Sequence, residues 1–155
     1  MTPARVDETQ LGPVLDFMRL LWSVDHSLQS VSKRMEGTLG VTGPQRVVIR
    51  MVGQFPSISA GDVAALLHIH PSTLTGVLKR LVARRILERS TDPQDGRRAR
   101  FVLSAEGQRL NRSKAGTVEA AVQRTLDRVP AATVGAAREL FSVLAQDLDL
   151  LLAES

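Results

Sequence analysis

From Pro71 to Val82 the apolar residues Leu74, Val77, Leu78, Leu81 and Val82 recur at i, i+3, i+4, i+7 and i+8. That spacing lays one apolar stripe along an amphipathic helix, and Pro71 fits its first turn. At 100° per residue the opposite face holds Ser72, Gly76, Lys79 and Ala83, flanked by Thr73, Thr75 and Arg80. After the helix come Ile86-Leu87-Glu88-Arg89, a turn-rich DPQDG and then RRARFVL, which predict two strands around a basic loop. Before it, Ser59 caps a short helix, SAGDVAALLHI, with Val63, Leu66 and Leu67 facing inward. Asp62 sits in its first turn, where the helix dipole favours negative charge. His68-Ile69-His70 makes a tight turn between the two helices. Two short helices joined so closely form a helix-turn-helix unit, and the basic hairpin after them makes it a winged one.

Residues 1–8 are polar and predicted to fray. From Thr9 to about Gly37 the positions Leu11, Val14, Leu15, Met18, Leu21, Trp22, Leu28, Val31 and Met35 keep a helical period, and Gly37 and Gly40 end the helix. Thr42 caps a second helix, with Pro44 in its first turn and Val47, Val48, Met51 and Val52 inside. Phe55-Pro56 stops it, because the residue before proline avoids helical angles, and Ile58 can form a short strand. Beyond the hairpin, Ser104 opens a fifth helix expected to run through Leu110, Ala115, Val118, Ala121, Val122 and Leu126 to Val129, where Pro130 breaks it. A sixth, Ala131 to Ala153, carries Val134, Ala137, Leu140, Phe141, Leu144, Leu148, Leu151 and Leu152 on one face. The fold class is therefore mainly α with a small β-hairpin wing. The first, fifth and sixth helices carry more apolar face than a compact winged lobe can cover. They predict a homodimer, in which a two-fold protein reads a two-fold site.

Length and composition fit one soluble domain over residues 1–155, with helices at 9–37 and 104–155 serving dimerisation and a winged lobe at 42–103. No cysteine is present, so disulfides, thiolate metal sites and a cysteine redox switch are excluded. There is no basic-then-apolar leader and no apolar run near eighteen residues, so a cytoplasmic protein with no membrane partner is expected. With no Tyr, one Trp and four Phe, base stacking of the kind single-strand binders use is disfavoured.

Charge sharpens the picture. Eight basic and three acidic side chains lie between Pro71 and Arg100, a net +5, against +4 for the whole chain. Basicity is thus local, the footprint of a double-stranded DNA face. Hydroxyls and cations opposite the apolar stripe can bond phosphates and base edges. Gly76 would let the backbone approach a groove closely. Catalysis finds no Gly-rich phosphate loop, no GxSxG and no HExxH, so no catalytic residue and no cofactor is assigned. His26, His68 and His70 lack the cysteine or carboxylate partners a metal site needs, and no metal is assigned either. Asp92 and Asp95 beside arginines read as ion pairs. A second class stays open, a winged-helix protein–protein interaction module whose basic face docks an acidic partner.

With these elements in order, the chain resembles the MarR family of winged-helix transcription regulators over nearly its whole length. The order of elements matches, as do VTGPQ at the start of the second helix, HPSTLTGVLKRL and DPQDGRRARFVLSAEG. The last is the most specific: an Asp-rich turn, then Arg-Arg, then a strand ending in Leu-Ser before Glu-Gly. The resemblance implies terminal helices forming an obligate dimer and two winged lobes on a pseudo-palindromic operator. Ser72, Thr73, Thr75, Lys79 and Arg80 match the recognition-helix face. Asp95 and Arg97 match a wing Asp-x-Arg, in which the aspartate orients an arginine that enters the minor groove, with Arg98 beside it. The family's effector pocket between the first, second and fifth helices would draw on Trp22, His26 and Arg50, for a small aromatic or phenolic ligand. Family members that sense oxidants use a cysteine, which this chain lacks.

Overall fold

A computed structural model describes residues 10–154. The expected polar start at 1–8 and Thr9 lie outside the described residues. The elements are α1 (Gly12–Leu39), α2 (Gly43–Gln54), β1 (Ile58–Ser59), α3 (Ala60–Leu67), α4 (Pro71–Ala83), β2 (Leu87–Thr91), β3 (Ala99–Leu103), α5 (Ala105–Arg112), α6 (Val118–Leu126) and α7 (Ala131–Ala153). The chain divides after Gly116 into two compact units.

The first unit holds α1 to α5 and an antiparallel sheet in the order β1-β3-β2. β1 pairs Ile58 with Phe101, and the hairpin pairs Leu87 with Leu103 through to Thr91 with Ala99. Ile58 thus adds a third strand to the two-stranded wing. Buried apolar side chains from α2, α3, α4 and the sheet meet in one core, with Ile49, Val52, Val63, Leu74, Leu81, Leu87 and Phe101 at its centre.

Local chemistry explains the boundaries. Gly40, at φ 73°, ends α1, which runs straight through Gly37. Thr42 and Gln45 form a reciprocal capping box at the start of α2, and the Ser32 hydroxyl on α1 accepts the Gly43 N–H at 2.7 Å. Ser59 caps α3, and Ser104 caps α5.

Several inward faces differ from the pattern. On α2, Ile49 is buried and Val47 is exposed; on α3, Ala64 is buried and Leu66 is exposed. Val48 and Val52 on α2 and Val63 on α3 are buried as the pattern predicts, so the difference is confined to Ile49 and Ala64, which turn inward in place of Val47 and Leu66. The long fifth helix is in fact two. Ser113 turns extended, Gly116 takes φ 73°, and the Thr117 hydroxyl accepts the Ala120 N–H to open α6. A new N-cap and a left-handed glycine both terminate helices, and the run of apolar positions on either side hides the break.

The second unit is the pair α6 and α7. On α7, Val134, Ala137 and Leu144 are half-buried, while Leu140, Phe141, Leu148, Leu151 and Leu152 are exposed. The single apolar face expected there is split into an inner and an outer set. On α1, Val14, Leu15, Trp22 and Val24 are likewise exposed. No helix among the described residues is long and apolar enough to cross a membrane.

Candidate nucleic-acid interface

The helix expected to read DNA is α4. Leu74, Leu78 and Leu81 anchor it in the core, with Val77 and Val82 half-buried beside them. Ser72, Thr73, Thr75, Lys79 and Arg80 are exposed, and Gly76 lies among them with open space where a Cβ would stand. Burying one stripe presents the other.

Two side-chain bonds define what this face offers. Thr75 donates its hydroxyl proton to the Pro71 carbonyl at 2.8 Å. That leaves its lone pairs and methyl outward, suited to an amino group on adenine or cytosine, or to a thymine methyl. His70 caps the helix, its Nδ1 accepting the Ser72 N–H at 3.2 Å and lying 2.6 Å from the Ser72 hydroxyl. The histidine is thereby occupied in holding the helix start, a role the sequence reading did not assign.

The wing is braced from below. Asp92 is buried, and Arg100 donates to its Oδ2 through Nη2 at 2.7 Å and Nε at 3.0 Å, a two-pronged pair. Arg100 also donates to the Ser57 carbonyl at 3.1 Å, which ties the hairpin to the turn before β1. The Asp92 carboxyl is held below the usual carboxylate range, first by the Gln94 backbone N–H and then by Arg100. Asp95 accepts the Arg97 backbone N–H at 3.0 Å, and its other oxygen lies 3.9 Å from Arg98 Nε. It therefore shapes the turn through the Arg97 backbone and pairs loosely with Arg98, while the Arg97 side chain stays exposed.

The structure brings helix and wing together. Thr75, Lys79, Arg89 and Arg97 share the walls of a cleft of about 480 Å³, floored by Leu78, Val82 and Phe101. Arg97 and Arg98 also border a smaller cleft of about 360 Å³ with Ser59 and Asp62 at the start of α3. The Asp62 carboxyl is lowered too, chiefly by the Ser59 hydroxyl that donates to it at 2.6 Å. Arg89 joins this interface without having been singled out; its place on β2, facing the helix, depends on the hairpin register.

The three candidate effector contacts are not brought to either cleft. Trp22 and His26 lie exposed on α1, and Arg50 on α2 donates to the Asn111 side-chain oxygen at 2.7 Å.

Residues 39–98 match the sequence profile of the MarR family. The HTH-type transcriptional repressor Rv2887 of Mycobacterium tuberculosis is 30% identical over 112 residues, 72% of this chain and 81% of the relative. The chain belongs to the MarR family. Like other MarR regulators it is a DNA-binding regulator of transcription and not an enzyme. Among solved structures, the PcaV transcriptional regulator of Streptomyces coelicolor, in complex with its natural ligand, is 26% identical with a TM-score of 0.65, covering 92% of this chain and 97% of its own. The MepR–DNA complex of S. aureus has a TM-score of 0.70 at 16% identity, covering 85% of this chain and 97% of its own, a likeness of fold. The winged MarR architecture thus accounts for the arrangement of α2 to β3 seen here.

Proposed function

We propose that this MarR-family chain is a homodimeric repressor that reads a pseudo-palindromic operator with α4 and anchors with its wing. One observation carries the proposal: Thr75 and Lys79 on the helix and Arg97 on the wing open onto one cationic cleft. The relative of 30% identity is named a repressor, which supports the sign of regulation. Exposed apolar residues on α1 and α7, including Trp22, Phe141 and Leu148, support a second copy as their cover. As a repressor it acts in the cytoplasm.

The test is a titration of the protein against duplexes from its own upstream DNA, with single-base variants, at two salt concentrations. Arg97→Ala should weaken binding to every variant by about 1–3 kcal/mol and reduce the salt slope by about one contact. Asp95→Ala should do less of the same. Thr75→Ala and Lys79→Ala should instead reorder the variants, because the major groove carries a distinct pattern for each base pair while the minor groove does not. Unchanged affinity in Arg97→Ala together with unchanged ranking in the helix variants would overturn the assignment and favour the protein-docking alternative.

That a ligand acts is supported by the complex of PcaV with its natural ligand, and release by a small aromatic or phenolic ligand completes the proposal. Trp22, His26 and Arg50 are its candidate contacts. A thermal-shift screen with aromatic acids, followed by alanine variants at the three positions, checks it; a hit must also weaken DNA binding.

A further inference from the structure

Asp92 is an anion within a stretch that carries a net +5. A carboxylate on such a face opposes the approach of a polyanion. Its contacts show what it does instead. The side chain is buried, with Oδ2 accepting from Arg100 Nη2 at 2.7 Å and Nε at 3.0 Å, and Oδ1 accepting the Gln94 N–H at 2.9 Å. The paired charges cancel, so Asp92 and Arg100 together add little to the field that DNA meets. Their contribution is geometric.

The wing loop is closed upon itself from Asp92 to Arg98. The Asp92 N–H donates to the Arg98 carbonyl at 2.8 Å, the Arg98 N–H to the Asp95 carbonyl at 2.9 Å, and the Arg97 N–H to Asp95 Oδ1 at 3.0 Å. These bonds fix the shape of the loop but not its angle to the lobe. Arg100 supplies the angle. From β3 it grips Asp92 at the base of the loop, and its Nη1 donates to the Ser57 carbonyl at 3.1 Å. Ser57 lies in the turn before β1, its own N–H donating to the Phe101 carbonyl at 3.0 Å. It takes φ 67°, a backbone conformation uncommon for a residue with a Cβ. Arginine suits this junction because its planar fork presents several donors at fixed angles, where lysine offers one compact head. Farther along the loop, Arg97 stays exposed and borders the cleft shared with Thr75 and Lys79.

We infer that Asp92 and Arg100 are positioning residues for DNA anchoring: the pair fixes the angle of the wing loop on the lobe, and so the point at which Arg97 meets the duplex. The role rests on the reading of Arg97 as the wing's anchor proposed above. It has a sign that charge alone does not give. Asp92→Asn makes the face more positive, which by field alone strengthens binding to DNA; by positioning, it weakens binding. Asparagine can still accept the Gln94 N–H, but its amide group sets donors against the guanidinium of Arg100, and two donors form no bond.

The experiment titrates the full-length wild type, Asp92→Asn, Arg97→Ala and the double variant against duplexes from the protein's own upstream DNA, at two salt concentrations. Melting temperatures are recorded, and binding is measured well below the lowest of them. Asp92→Asn should bind about fivefold or more weakly, the lower end of the worth of one arginine contact, and lose about one contact of salt slope. In the Arg97→Ala background the same substitution should cost nothing, because the anchor it aims is gone. Asp92→Asn that binds as tightly as the wild type, or more tightly, overturns the inference while a weakened Arg97→Ala leaves the anchor standing. An equal loss in both backgrounds shows a brace that serves the lobe as a whole, and the positioning role is then wrong. Arg97→Ala without effect, or a wild type that binds no duplex, overturns the anchor and the inference with it. Should Asp92→Asn fail to fold, Arg100→Lys decides by the same measure, since it keeps the charge but cannot make the fork. Should neither fold, the pair is a requirement of the fold and the positioning role is wrong.

Discussion

Gly76 sits mid-helix on the exposed face of α4, where a Cβ would meet no atom of the protein. Glycine there costs about 1 kcal/mol of helix stability relative to alanine, and nothing inside the chain requires it. Gly76→Ala should therefore raise thermal stability by an amount near that figure. If the backbone must approach DNA closely at this point, the same substitution should weaken operator binding. Melting and titration of one variant read both; a more stable protein with unchanged affinity would remove Gly76 from the interface. Asp92 makes the opposite kind of contribution. Its carboxyl is lowered by the Gln94 N–H and by Arg100, so its stabilising effect is complete above the ordinary aspartate value of about 4 and is lost as pH falls through the lower folded value. Asp92→Asn should melt lower at pH 7, and its melting temperature should fall less steeply than that of the wild type as the pH drops below about 4. Parallel pH profiles would show that the brace contributes nothing.

Among elements, α5 is fastened by its neighbours more than by its own sequence. It has eight residues, fewer than an isolated helix needs to hold in water. At Gly107 an added Cβ would collide with the Ile86 carbonyl and press on the Leu103 side chain. Backbone cannot swing aside as a side chain can, so Gly107→Ala should destabilise by at least about 1–3 kcal/mol, the usual range for overpacking. Denaturant unfolding measures it, and a loss under half a kilocalorie per mole would mean that α5 slides freely on β3. The break after α5 has its own cap: Thr117 is buried and its hydroxyl accepts the Ala120 N–H at 3.3 Å. Loss of such a cap costs about 1 kcal/mol.

At the scale of the whole molecule, the exposed apolar surface is the feature that asks for a partner. Phe141 and Leu148 on α7 are 51% and 49% exposed, and Trp22 on α1 is 59% exposed. Isolated exposed apolar residues are ordinary, but rows of them along helices mark an interface. Leu148→Asp places a charge in that row, and an unpaired charge in a buried interface costs several kcal/mol. Light scattering should give a dimer mass for the wild type at micromolar concentration and a monomer for Leu148→Asp. A wild-type monomer would count against a second copy as the cover.

The sequence by itself determined the elements of the lobe and the chemistry of its outer face. The stripe from Leu74 to Val82, the Ser59 and Thr42 caps and the DPQDG turn are local signals, complete within a few residues, and helix periodicity says which side of α4 looks outward. It also located the basic loop, because charge is additive along the chain. Tertiary structure decided what depends on residues far apart. Nothing local to the sequence marks Arg46; its burial follows only when the end of α5, more than sixty residues later, is laid across it. Arg89 enters the cleft only through the register of Arg89 opposite Phe101. Whether Ile49 or Val47 turns inward depends on which neighbour lies over α2. The division of the fifth helix was written locally, in Gly116 and Thr117, but an unbroken apolar period across it concealed the left-handed turn that the folded backbone takes.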